Sequence, residues 1–73
     1  MPAPISPMTV PYLRHWRVHR LWTQEQLAAH SDVSVPTIVR GERGKTVGAL
    51  TAAKLARALG VSVRQLRETP PED

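Results

Sequence analysis

The stretch Thr23-Gln-Glu-Gln-Leu-Ala-Ala-His-Ser-Asp-Val-Ser-Val-Pro-Thr-Ile-Val-Arg-Gly-Glu-Arg-Gly44 carries two helix starts twelve residues or fewer apart. Thr23 with Gln26 three residues on has the form of a capping box, in which each side chain satisfies the other's free backbone N–H. Ser34 is the second start signal, followed by Pro36, which is tolerated in a helix's first turn where no amide is needed. Between the two lie Asp32, which accepts the left-handed backbone of a tight turn, and Val33. Two short helices so joined make a helix-turn-helix. Leu27 and Ala28 point the first of them inward, and Ala28 is small enough for close helix approach. Val33 and Ile38 pin the second and leave its opposite face free, while Gly41 and Gly44 bracket its end.

Further helices flank this pair. Thr9 is the expected N-cap of a first helix over about residues 10–20, with Pro11 in its first turn and Leu13, Trp16 and Arg17 on one face. Thr51 is the expected cap of a fourth carrying Leu55, Ala56 and Leu59 and stopping at Gly60; Ser62 and Gln65 repeat the capping box for a fifth ending at Leu66 or Arg67. Phe is absent, Tyr occurs once and no run alternates polar with apolar residues, so a sheet is not expected. The fold class is all-α, a compact five-helix bundle. Six of the seven prolines lie at or before position 11 or at 70 and 71. They divide the chain into a Pro-rich flexible arm (1–8), a folded body (9–68) and an acidic disordered tail (69–73).

The chain has 73 residues and no cysteine, which leaves room for one small domain held by apolar packing alone. Its net charge of +4 understates the imbalance, because Glu68, Glu72 and Asp73 crowd the end. Met1 to Arg67 holds ten basic and three acidic residues, a surplus of seven. Such a body expects a polyanionic partner, nucleic acid first and an anionic membrane surface second. No apolar run nears the roughly 20 residues of a membrane span, and no segment resembles a secretion signal, so a cytoplasmic location is expected.

Read together, Thr-Gln-Glu-Gln-Leu-Ala (23–28), Val-Ser-x-x-Thr-Ile (33–38), Glu-Arg-Gly-Lys (42–45) and Leu-Ala-x-Ala-Leu-Gly-Val-Ser (55–62) resemble the Cro and phage-repressor (XRE-like) helix-turn-helix family over about Leu13–Leu66. The resemblance implies a homodimeric, nucleoid-associated regulator, a repressor in type, that binds a double-stranded operator with two half-sites. It implies base contacts by Val35, Pro36, Val39 and Arg40, and phosphate contacts by Thr23, Gln24, Thr37, Arg43, Lys45 and the amides near Thr51. It further implies a structural Arg17–Glu42 ion pair and, by analogy, a dimer interface using Val63 and Leu66. Four positions depart from the family: Gly41 and Ser31 replace apolar residues, and Leu21 and Asp32 replace glycines. Trp16 or Trp22 is the candidate to fill the space opposite Gly41; otherwise both belong to the core or to a hydrophobic staple.

Other chemistry is weakly represented. His15 and His19 have the four-residue spacing of a metal face, but no third ligand stands near, so a solvated or DNA-side pair is expected and no metal or cofactor. His30 is expected at the surface, and Arg57, Arg64 and Arg67 on a solvated face. No nucleophile–base set, carboxylate pair or phosphate loop appears, so an enzyme is not expected. The competing expectation is an antitoxin-like adaptor that binds a protein partner through its terminal arms.

Overall fold

A computed structural model describes residues 7–72. Residues 1–6 of the expected arm, and Asp73 of the tail, lie outside the described residues. The chain forms α1 (Leu13–His19), α2 (Gln24–Ser31), α3 (Val35–Glu42), α4 (Ala49–Leu59) and α5 (Val63–Glu68). Among the described residues there is no strand, only an antiparallel bridge between Met8 and Val47. The expected all-α, five-helix architecture is the one observed.

Three of the caps are those the sequence signals. Thr23 Oγ1 accepts from the Gln26 amide at 3.0 Å while Gln26 Oε1 accepts from the Thr23 amide at 2.8 Å. Ser62 and Gln65 repeat this at 3.1 and 2.9 Å. Ser34 Oγ accepts from the Thr37 amide at 3.4 Å. Each such cap is worth about 1 kcal/mol. The other two starts differ from expectation. Thr9 caps nothing: residues 8–10 are drawn out by the Met8–Val47 pairing, with N···O distances of 2.8 Å both ways, and α1 starts only after Tyr12. Pro11 therefore lies in the turn before α1. α4 starts earlier than expected, with Gly48 as its N-cap, which puts Thr51 inside its first turn.

The core is aliphatic. Leu13, Leu27, Ile38, Leu55, Leu59 and Leu66 are fully buried, each contributing roughly 1.5–3 kcal/mol relative to exposure. α2 packs on α3 and α4, α5 on α4, and α1 spans α3 and α5. Leu66 is thus inside the molecule, between α1 and α4, rather than on an interface: the turn from Val10 to Leu13 closes over it, and the Tyr12 amide donates to its carbonyl at 3.0 Å. Val63, its expected companion, is half-buried against the same core.

The tail is fastened where it leaves α5. The Trp16 indole N–H donates to the Thr69 carbonyl at 2.9 Å and the Gln65 carbonyl at 3.3 Å, giving the helix end an acceptor-satisfying cap. Arg20 does the same for α4, its Nη2 donating to the Leu59 carbonyl at 2.9 Å. Its guanidinium also lies 5.3 Å from the centre of the Trp22 ring, and the His30 imidazole stacks on that indole at 4.3 Å, 4° from parallel.

Candidate nucleic-acid interface

α3 has two unlike faces. Ile38 and Gly41 are buried, while Pro36 and Arg40, one turn apart, are exposed and Val35, Thr37 and Val39 are half-exposed beside them. The positions expected to meet bases therefore form one outward ridge, with Arg40 its only long hydrogen-bond donor. Arg43 and Lys45 continue it past the helix end, both exposed.

α4 presents its start nearby in sequence. The first amide to find a helical acceptor is that of Ala52, which donates to the Gly48 carbonyl at 2.9 Å. Helix geometry leaves the amides of Ala49, Leu50 and Thr51 without one, which suits an anionic oxygen.

The other expected phosphate contacts are already engaged within the protein. The Thr23 hydroxyl serves its capping box, and the Thr37 hydroxyl lies 2.9 Å from Ser34 Oγ. Gln24 Nε2 donates to Glu42 Oε1 at 3.1 Å. That carboxylate is the hub of the expected ion pair: Arg17 Nε reaches Oε2 at 2.6 Å and Nη2 reaches Oε1 at 3.1 Å. Arg17 Nη1 donates to the Trp22 carbonyl at 2.7 Å. The two side chains are only 12% and 6% exposed, so this is a fork-to-fork pair shielded from water that ties α1 to the end of α3. Breaking such a pair by removing one member costs about 3–5 kcal/mol.

Around this hub lies a cleft of about 350 Å³ lined by Arg14, Arg17, Gln24, Val39, Glu42 and Arg43. Arg14 is the residue the sequence reading missed. Its signal was only its place three residues before Arg17, one turn back on the same helix.

A family model described as helix-turn-helix matches residues 13–66. The chain belongs to the helix-turn-helix family. The XRE-like resemblance of the sequence agrees with this assignment, and membership places the chain among DNA-binding regulators. A solved structure, a hypothetical transcription factor from Neisseria, is similar to it with a TM-score of 0.69 and 27% identity over 97% of this chain and 88% of that one. No curated protein matches.

This helix-turn-helix protein handles the family departures locally. The space beside Gly41 is filled by neither tryptophan. A Cβ there would lie 3.1 Å from Leu13 Cδ2, 3.3 Å from Val10 Cγ2 and 3.5 Å from Val47 Cγ1, so these aliphatic residues occupy the place of the missing side chain. Ser31 is buried and its hydroxyl accepts from the Val33 amide at 3.3 Å, which satisfies it within the turn. Asp32 takes the left-handed backbone expected of it, φ 59°, and Leu21 does so too, φ 60°. Among the described residues, no helix is long and apolar enough to cross a membrane and no three His, Cys, Asp or Glu side chains cluster as metal ligands. His15 and His19 lie edge-on to Tyr12 and Trp16 respectively.

Proposed function

We propose that this helix-turn-helix protein is a sequence-specific double-stranded DNA-binding transcriptional regulator, acting as a repressor on an operator with two half-sites. The observation that carries this reading is the exposed ridge of α3, with Arg40 at its centre and Arg43 and Lys45 at its end. An α-helix fits the major groove, and a ridge seated on a buried Ile38 is rigid enough to read it.

Val35 and Pro36 offer no hydrogen-bond donors from their side chains, so they contact thymine methyl groups or groove shape. Arg40 suits guanine, donating to O6 and N7, and this pairing discriminates by roughly 1–3 kcal/mol. Each half-site therefore contains a G opposite Arg40 beside a T. Arg43, Lys45 and the α4 amides fix the register on phosphates, which accounts for affinity and not for sequence preference. A homodimer supplies the second ridge, through a surface that includes Val63 and excludes the buried Leu66.

Selection of bound sequences from a random duplex pool tests this. The expected result is a two-fold symmetric site with one G per half. Arg40→Ala should then weaken the selected duplex by roughly 1–3 kcal/mol more than a random duplex. An equal loss on both makes Arg40 a phosphate contact and overturns the base-reading assignment.

A further inference from the structure

The cleft at the foot of α3 has an unbalanced charge. Three guanidinium groups, those of Arg14, Arg17 and Arg43, face one carboxylate, that of Glu42. The Glu42 oxygens already accept from three donors, two from Arg17 and one from Gln24, and Arg17 spends its remaining Nη on the Trp22 carbonyl. Glu42 and Arg17 thus neutralise each other, and every guanidinium nitrogen of Arg17 is engaged within the protein. Among the described residues neither Arg14 nor Arg43 has a carboxylate partner, and both are exposed. Two positive charges therefore stand at the mouth of a solvent-open cleft with no carboxylate among the described residues paired to them.

We infer that Arg14, on α1, is a DNA-backbone contact that acts with Arg43 to clamp the backbone over this cleft, each arginine on its own phosphate. The inference rests on the DNA-binding reading above and extends the contact surface from the helix-turn-helix onto α1. Val39 supplies the link: it lines the cleft and belongs to the reading ridge, so an oxygen seated in the cleft lies at the groove edge. Arg14 and Arg43 approach from different helices, and the buried Arg17–Glu42 pair holds those helices at a fixed separation. The pair thus sets the span of the clamp, while Arg14 and Arg43 supply its charge.

The experiment measures duplex affinity against salt for the full chain, Arg14→Gln and Arg14→Lys. Each phosphate contact adds about 0.9 to the slope of log affinity on log salt. Arg14→Gln should lower that slope by about one and weaken selected and random duplexes by the same factor. Between 50 and 200 mM salt, the full chain should lose about threefold more affinity than the variant. Arg14→Lys should restore the slope, since a point charge suffices for one phosphate. Arg14 makes no hydrogen bond or ion pair within the described residues, so both variants should melt with the full chain. A full chain that binds duplexes with the same slope as Arg14→Gln overturns this inference alone. A full chain that binds no duplex overturns the regulator reading and this inference with it.

Discussion

Leu21 is held in a conformation that its side chain opposes. α1 ends with the Trp22 amide bonded to the Arg17 carbonyl at 3.2 Å and the Leu21 amide to the Val18 carbonyl at 2.8 Å. This crossed pair of bonds forces the residue after the helix into the left-handed region. α4 ends in the same way, with Val61 bonded to Ala56 and Gly60 to Arg57, and there the left-handed residue is a glycine with φ 71°. One motif thus occurs twice in the molecule, relaxed at Gly60 and strained at Leu21. Leucine pays roughly 1–2 kcal/mol for a left-handed backbone, and at 88% exposure its side chain gains almost nothing from packing in return. Replacement by glycine removes that cost and restores part of it as unfolded-chain entropy. Leu21→Gly should therefore stabilise the protein by about 1 kcal/mol, raising the melting temperature by about 4–8 °C in a domain of this size. A calorimetric melt checks it, and an unchanged or lowered midpoint would mean that the leucine makes a compensating contact.

At the scale of the elements, α3 is seated by a swap of material between segments. Where a large apolar side chain would stand on the helix, there is Gly41, and Val10 and Val47 come in from either side of the chain to fill the place. The Met8–Val47 bridge brings those two segments together. Gly41→Leu should consequently cost about 2–3 kcal/mol, because a core already at close packing must admit four heavy atoms where even one has neighbours at 3.1 Å. Hydrogen exchange should locate the damage: the Met8 and Val47 amides should lose protection ahead of the α2 amides. Equal protection at Met8 and Val47 in both proteins would show that the bridge does not depend on the packing under it. The same contacts explain which parts of the fold were legible in the sequence. The capping boxes at Thr23 and Ser62, and Ser34 before Pro36, are local chemistry complete within four residues, and those helices start where expected. Thr9 and Thr51 also have capping side chains, but the start of α1 is decided by a pairing 39 residues away in sequence, between Met8 and Val47. Periodicity within a six-residue helix likewise left Leu66 able to face either way; its burial follows from the closure of the Val10–Leu13 turn over it. The Arg17–Glu42 pair was legible only through the family resemblance, and Arg14 only through its place one turn before Arg17, because its proposed role depends on a neighbour's charge being used up.

For the whole molecule, the proposed regulator faces a limit of size. α3 has eight residues, about 12 Å of helix, and contacts only a few base pairs. Sequence selectivity from one such ridge is small against the number of competing sites, whereas two ridges bound together multiply it. The dimensions permit this: half-sites one helical turn apart lie about 34 Å from centre to centre, and the molecule measures 42 × 24 × 20 Å, so two copies can sit flank to flank on one face of a duplex. The arrangement depends on both half-sites facing the same way. Inserting five base pairs between them turns one by about half a helical turn, carrying it to the far side of the duplex. Joint binding should then be lost, and the altered site should bind on the order of a hundredfold more weakly, at the affinity of an isolated half-site. A titration of both duplexes at one salt concentration measures this directly, because phosphate contacts per protomer are unchanged and only the coupling between copies differs. If the lengthened site binds as tightly as the original, each copy reads its half-site alone, and the dimeric reading of this helix-turn-helix protein is overturned while its single-site recognition stands.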